Sequence, residues 1–418
     1  MSENNIHEID VTPEAKKRFI ARFNQRVQSH KILSTVAAFI IFLTIISGYS
    51  ISHTLSAPGS DPVSARLAEW GRDHGLGFLV TTLEQIQYKV NPPKVGGTVK
   101  VQLPVSVNTP TTPPATSTDT STSTVGSASQ VIGDGSEINK LNPALLQPAI
   151  PALVQPAIPE EGTYQALLAS SGQPIIESAQ LRPDSIHTSY LATVIWISGA
   201  HSRFELHPGF EDPGHPKAFA STDLVSNDPA SNLIATFNSG FKLNSSRGGF
   251  YLNGKLHGVL QPGAASLVTY QDGHSEIGSW GSEVTMTPQV TSVRQNLNLL
   301  IDNGVEAKNI NSAVQDSWGA TLGAKTFVWR SGIGITASGD FLYVAGDALS
   351  AQSLANILKN AGAIRAMQLD INPEWISFMY YLTNANNKLQ PYKPMYFDRH
   401  ANRYFQESSR DFYAVYLR

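Results

Sequence analysis

The chain has 418 residues, with 30 Lys and Arg against 33 Asp and Glu, a formal charge of -3 and no cysteine. At roughly 100 to 200 residues per domain this length fits two or three domains, or one large domain with long appendages, and the near-neutral balance excludes a general basic field for nucleic acid. Without cysteine there are no disulfides, thiolate zinc sites, iron–sulfur clusters or thiol nucleophiles.

Residues 1–31 carry Lys16, Lys17, Arg18, Arg22, Arg26 and Lys31. Residues 32–51, ILSTVAAFIIFLTIISGYSI, hold no charge and at about 1.5 Å per residue are long enough to cross a hydrocarbon core of ~30 Å. No Lys or Arg follows until Arg66. The positive-inside rule therefore predicts a transmembrane signal anchor with a cytoplasmic N-terminus and everything after residue 51 extracytoplasmic. A cleaved signal peptide is the rival reading, but it would have an apolar region of roughly 7 to 15 residues and an A-x-A-like site, for which Leu55-Ser56-Ala57 is the only candidate. A buried core helix is a third, though the run is apolar all round rather than along one stripe.

Residues 52–90 form a juxtamembrane segment. Val63, Leu67 and Trp70 predict a short amphipathic helix, with Asp61 as cap and Pro62 at its first position, and no chemistry is assigned to it. Residues 91–164 read as a linker. Ser, Thr and Pro dominate 104–129, and LLQPAIPALVQPAIPE repeats Gln-Pro-Ala-Ile-Pro at an eight-residue interval. Such a segment buries too little apolar surface to offset its ordering entropy, so the expectation is a disordered stalk, flexible in its Ser/Thr part and polyproline-like in its Pro part.

Residues 165–418 hold the function. LATVIWIS at 191–198, LIATF at 233–237 and FYAVYLR at 412–418 read as strands. Asn253-Gly254 and Asp272-Gly273 each sit between alternating arms and predict hairpins. TFVWRSGIGIT, Ser338-Gly339-Asp340 and FLYVAG predict a third. One helix follows, capped by Ser350, with Leu354, Ile357, Leu358 and Ala361 on one face and Gly362 as its αL stop. AMQLD then ends a strand at Asp370. The fold class is α+β, a mixed or mostly antiparallel sheet domain with few helices.

Asp370 stands where a strand becomes a loop, followed by Ile371-Asn372-Pro373-Glu374-Trp375. Asp370 and Glu374 meet as an acid–base pair if Pro373 forces a turn; on a straight strand they lie about 13 Å apart. The alternative has Asp370 capping backbone amides and Glu374 solvated. Arg330 lies inside an otherwise apolar strand, where it suits a phosphate, a carboxylate ligand or an internal acid. Asn238 and Lys242 flank Asn-Ser-Gly-Phe-Lys after a strand, Arg247-Gly248-Gly249 follows, and His257 lies in the first hairpin. No H-x-x-x-H, H-E-x-x-H or G-x-S-x-G pattern occurs, and no helix start follows Gly332 and Gly334, so zinc hydrolase, serine hydrolase and nucleotide readings lack their signatures.

ATFNSGFK resembles the N-G-G-F-F segment of the phosphodiester glycosidase family. Trp329-Arg330-Ser331-Gly332-Ile333-Gly334, FLYVAG, the helix SAQSLANILKNAGA and AMQLD are similar to that family's R-x-A-I-G, second strand, L-x-E-L-A-x-x-L-x-x-x-G-A helix and A-x-x-L-D, in the same order. Where the family continues D-G-G-G-S-S, this chain continues Asp370-Ile371-Asn372-Pro373-Glu374-Trp375. The resemblance, over about 235–380, implies hydrolysis of the sugar C1–O bond of glycosyl phosphodiesters without a cofactor or metal. It carries Asn238, Arg330 and Asp370 over by position, which implies Asp370 and Arg330 as catalytic residues, Arg330 with help from Lys242 meeting the phosphate, and Asn238 orienting a hydroxyl or phosphate oxygen. Glu374 and Trp375 have no counterpart in the family and are expected, on their own chemistry, as a second catalytic carboxylate and a stacking surface for a sugar. Arg247 and His257 complete the expected substrate-binding set. Envelope or exported glycans are the expected substrates. The alternative is a non-catalytic glycan-binding or envelope-assembly module on the same fold; a metal-dependent phosphodiesterase is a third reading.

Overall fold

The structure is a computed structural model and describes residues 13–99, 138, 141–311, 318–319 and 327–418. Helix α1 (Pro13–Leu55) is continuous through the basic and apolar segments. Its stretch Ser34–Leu55, of mean hydropathy 1.9 and wholly unburied, is long and apolar enough to be a spanning helix or signal anchor. Two of its hydroxyls return to the helix itself, Thr44 Oγ1 donating to Ile40 O at 2.8 Å and Thr54 Oγ1 to Ser50 O at 3.1 Å.

The juxtamembrane segment differs from expectation. It folds into two helices, α2 (Val63–Gly71) and α3 (Gly77–Val90), broken where His74 and Gly75 leave helical geometry, Gly75 at φ 79°. Asp61 caps nothing; its carboxylate reaches Arg399 and Ser409 of the C-terminal domain. Arg66 gathers the α1–α2 turn, donating to Asp61 O at 2.9 Å, Gly59 O at 3.0 Å and Thr54 O at 3.2 Å. Trp70 Nε1 donates to Ser50 Oγ on α1 at 2.9 Å and the indole stacks on His74.

The linker is tied down at both described ends. Gly96 N donates to Ile186 O and Thr188 Oγ1 to Gly97 O. The proline-rich repeat, expected to be a stiff stalk, instead lies on the domain with Ile150 and Val154 buried. Buried Arg182 holds it, donating to Val154 O at 2.8 Å and pairing with Glu161 at 2.8 Å. The Ser/Thr stretch 104–129 lies outside the described residues.

Three sheets follow, every described ladder antiparallel. The largest runs β1 (Gln165–Ser170), β2 (Gln173–Leu181), β3 (Ala192–Ile197), β14 (Phe341–Leu349), β13 (Val328–Thr336), β15 (Ala363–Gln368), β11 (Leu299–Asp302), β12 (Val305–Glu306). The second runs β7 (Lys255–His257), β6 (Phe250–Leu252), β10 (Val290–Gln295), β8 (Ala265–Tyr270), β9 (Ser275–Ser279). The third runs β17 (Leu389–Tyr392), β16 (Phe378–Thr383), β5 (Leu233–Asn238), β18 (Phe412–Leu417), β4 (Ser202–His207). All three expected hairpins form, and Asn253 and Gly254 both take positive φ, 49° and 80°, as a two-residue turn requires.

Alternation along the central strands divides the core. Ile195 and Ile197 of β3 and Phe341 and Tyr343 of β14 face a cluster with Phe204, Phe237 and Tyr413 of the third sheet and Phe250 of the second. Val194, Trp196, Leu342 and Val344 face the other way, onto the helix Ala351–Asn360, here α5 after a one-turn α4 (Leu243–Ser246). Both faces are therefore covered, which explains strands apolar throughout. Ser350 caps α5 in a reciprocal box with Ser353. A Cβ at Gly334 would meet Ala363 Cβ at 2.8 Å and one at Gly332 would meet Leu354 Cδ2 at 3.1 Å. These glycines let helix and strand approach rather than admit a ligand.

Candidate functional site

Strand ends set the site. Phe412 at the start of β18 pairs with Asn238 at the end of β5, and Phe378 at the start of β16 pairs with Phe237. Asp370 follows β15, where its main chain continues the ladder to β13 through Ser331 N–H donating to Asp370 O at 2.9 Å. Arg410 and Asp411, immediately before β18, are thereby brought beside Asp370 and the 238–242 turn.

Asn238 is the hub behind this junction. Its Oδ1 accepts from Tyr343 O–H at 2.8 Å and Ser377 N–H at 3.1 Å, and its Nδ2 donates to Ser239 O and Ser331 Oγ. Ser331 Oγ in turn accepts from Asp370 N–H at 3.2 Å. Asn296 fastens the turn to the strand end, accepting from Phe241 N–H and donating to Gln368 O and Leu369 O. Gly240 is required there, since a Cβ would lie 2.8 Å from Asn296 Cγ. Arg294, buried and paired with Asp411 at 2.6 Å, holds Phe241 O from beneath.

In front lies a cavity of about 460 Å³. The domain lines it with Asp370, Arg410, Lys242, Arg247, Asn372 and Trp375; α2 and α3 line it with Glu69, Arg72, Thr81 and Glu84. Arg410 joins the two walls. It is buried, with Glu69, Asp212 and Asp370 carboxylates 3.8, 3.9 and 3.9 Å away, and its Nε has no hydrogen-bond partner among the described residues. Three carboxylates and one long contact to Gly240 O at 3.5 Å hold the charge in place without saturating its fork. Its Nε faces Asp212, outside the cavity lining, while its terminal nitrogens face Glu69 and Asp370, which line it.

Asp370 Oδ1 accepts from Ile371 N–H at 2.7 Å and Asn372 N–H at 3.0 Å; the capping expected of it is real. Oδ2 faces Arg410. Burial pushes this carboxyl up to about 6, against Arg410 and the two amides, with Glu69 adding repulsion. Burial also raises Glu69, but Arg410 and Lys242 outweigh it and hold that carboxyl below its ordinary range. Lys242 Nζ pairs with Glu69 and sits 3.1 Å from Asp73. Trp375 is buried, with the guanidinium carbons of Arg410 and Arg399 5.1 and 5.6 Å from its ring centroid.

Four expected site residues lie elsewhere. Arg330 is fully buried in β13, donating to Leu349 O at 2.9 Å, Trp318 O at 3.0 Å and Gln368 Oε1 at 2.8 Å; it does not line the cavity, and carbonyl groups rather than a ligand or an acid meet those donors. Asn238 is spent on the scaffold. His257 is exposed on the edge strand β7. Glu374 does not line the cavity with Asp370; its carboxyl, raised by burial against Arg399, meets Ser64 Oγ of α2 at 3.5 Å. Asp370, Lys242, Arg247 and Trp375 are brought together as expected. Arg410 was missed, although Ser-Arg-Asp just before a strand is the same strand-end signal that picks out Asp370. Glu69 carries no such signal, because nothing in a nine-residue helix indicates which wall it will meet. Among the described residues no group of three or more His, Asp or Glu side chains is placed to hold a metal.

No protein-family model and no curated protein sequence matches the chain. Its fold is distantly similar to the catalytic domain of zebrafish N-acetylglucosamine-1-phosphodiester alpha-N-acetylglucosaminidase, auto-inhibited by its pro-peptide, at 16% identity and a TM-score of 0.41 over 61% of this chain and 88% of that one. A hypothetical protein from Synechocystis gives 14% and 0.32 over 61% and 65%. A putative exported protein from Burkholderia pseudomallei gives 12% and 0.27 over 55% and 74%. The likeness is one of distant structure alone.

Proposed function

We propose that this chain is a membrane-anchored extracytoplasmic hydrolase that cleaves the sugar C1–O bond of glycosyl phosphodiesters in envelope or exported glycans. The observation that supports the reading is the buried guanidinium of Arg410 at the cavity wall, its terminal nitrogens 3.8 and 3.9 Å from Glu69 and Asp370 with no close ion pair among the described residues, beside the raised carboxyl of Asp370. A phosphodiester is an anion that this fork fits, with Lys242 alongside. Its departure as a monoester calls for charge neutralisation more than for a strong acid. Asp370 stabilises the oxocarbenium-like centre or takes a proton from the attacking water. Water adds at C1, the C1–O bond pair passes to the phosphate oxygen, and the products are a reducing sugar and a phosphate monoester. Trp375, packed against Arg399 and Arg410, offers the part of its ring that reaches the cavity wall to the sugar. Relative to the sequence expectation, Arg410 takes the phosphate role given to Arg330, and Glu374 leaves the catalytic set. α1 serves as anchor with a cytoplasmic N-terminus.

One observation favours the non-catalytic module instead: Asp370 has no second free carboxylate partner, Glu69 being engaged by Lys242 and Arg72. The full chain, wild type and Asp370→Asn, incubated with α- and β-linked glycosyl-1-phosphodiesters with and without chelator, separates the readings. Chelator-insensitive release of reducing sugar, lost in Asp370→Asn, is the expected result. Glycan binding without release by either protein would leave the binding module.

A further inference from the structure

The wall that α3 contributes to the cavity has a second face. Gly77, Thr81 and Glu84 line the cavity at helical spacing. Leu79, Leu83 and Ile86 follow each of them by two residues, about 200° round the helix, and Val90 continues their stripe. Phe78, Leu83 and Val90 are 67, 67 and 71% exposed, and Leu79 and Ile86 are exposed as well. The same division runs through α2, where Ala65 and Glu69 are buried while Val63 and Leu67 are exposed. Seven large apolar side chains thus stand uncovered on the outside of a hairpin whose inside is ionic, a concentration of the kind that marks an interaction surface.

The surface is not free to turn. Trp70 ties the hairpin to Ser50, which lies within the apolar stretch Ser34–Leu55 of α1, and Arg66 locks the turn between them. Asp61, through Arg399 and Ser409, and Lys242, through Glu69 and Asp73, bolt its inner side to the domain. The exposed patch therefore continues a helix suited to cross a membrane, and the cavity lies on the other side of the same hairpin.

We propose that the outer face of α2 and α3 lies in the membrane–water interface, and that the cavity takes an amphiphile from that membrane: a glycosyl phosphodiester whose phosphate is esterified on its other side to a lipid. This rests on the glycosidase reading above. Arg410 and Lys242 then meet a phosphate at headgroup depth, the sugar turns toward Asp370 and Trp375, and the lipid chain remains in the bilayer beside α3. Water supplies its oxygen to C1 and a proton, by way of Asp370, to solvent. The C1–O pair stays with the phosphate, so the sugar leaves into water and a lipid phosphate monoester stays in the membrane.

The test uses the full chain in phosphatidylcholine–phosphatidylglycerol vesicles and two esters of one sugar-1-phosphate, an ethyl ester in solution and a long-chain polyprenyl ester in the bilayer. The lipid ester is hydrolysed with kcat/KM about tenfold or more above the ethyl ester, and L83E/I86E abolishes that advantage while leaving ethyl-ester hydrolysis unchanged. Because the chain has no cysteine, an environment-sensitive dye on L83C reports depth directly: its emission shifts blue with vesicles, while the same dye on V305C, exposed on β12, does not shift. Ethyl-ester hydrolysis without a lipid advantage, and an L83C dye unmoved by vesicles, overturns this inference and leaves the glycosidase standing. A dye already shielded in detergent by a second copy or another protein overturns it too. No sugar from either ester, with the dye in lipid, overturns the glycosidase reading and the substrate class with it.

Discussion

Arg330 and Arg410 are both buried guanidiniums close to a strand end, and they differ in what surrounds them. Arg330 meets two main-chain carbonyls and one amide oxygen at 2.8 to 3.0 Å. Arg410 is faced by three carboxylates at 3.8 to 3.9 Å, and its Nε finds no hydrogen-bond partner among the described residues. The first geometry staples β13, β14 and β15 at the end that carries Asp370; the second leaves the guanidinium among carboxylates that lie beyond hydrogen-bond distance. Burial of a charge is thus no mark of function by itself; the state of its donors decides.

The largest effect expected is on Arg410. Arg410→Met removes the anion fork and lowers sugar release by about 10² to 10³-fold, as loss of one oriented donor to developing charge does, with circular dichroism confirming the fold. Arg330→Met instead leaves three buried acceptors unmet and costs about 3 kcal/mol or more of stability, read by thermal unfolding. Its kcat per folded molecule stays within about threefold of wild type. If Arg330→Met abolished turnover without loss of stability, the two arginines would have to exchange roles.

Asp370 sharpens the contrast through pH. Its folded-state pKa is raised from 3.8 to about 6, so the folded protein binds the proton more tightly than the unfolded chain. Stability from this group is therefore fully present below about pH 4 and lost as pH rises to about 6. Asp370→Asn, free of that loss, is more stable than wild type at pH 7 by at most about 3 kcal/mol, and the difference vanishes near pH 4. As a base Asp370 must be ionised, so kcat/KM of the wild type falls as pH drops below about 6. The smallest effect is that of Glu69→Gln. Removing its repulsion shifts that acid limb to lower pH, and releasing Lys242 and Arg410 lowers KM for a phosphodiester by a few-fold.

Much of the domain was legible in its sequence because local rules governed it. Asn253-Gly254 and Asp272-Gly273 required turns, Ser350 a helix start and Gly362 a stop, and each formed. Asp370 and Lys242 were legible for a related reason: polar residues soon after apolar strands line whatever opens at the strand ends. Arg330 misled because a charge inside an apolar strand suggests a ligand, whereas Leu349 and Trp318 supply carbonyls from segments that sequence spacing does not connect to it. The contacts of Glu69 and Asp61 with the domain were illegible because Lys242, Arg410 and Arg399 lie 173 or more positions away. The proline-rich repeat was read from composition as a stalk, and composition says nothing of Arg182, whose guanidinium holds it down.

The most direct test of the central claim is hydrolysis of a glycosyl-1-phosphodiester by the full chain in oxygen-18 water, with mass spectrometry of both products. The Asp370–Arg410 cavity predicts the heavy oxygen on the sugar, at C1, and an unlabelled phosphate monoester. Heavy oxygen in the phosphate would mean P–O cleavage and would contradict it, as would the absence of turnover from both anomers.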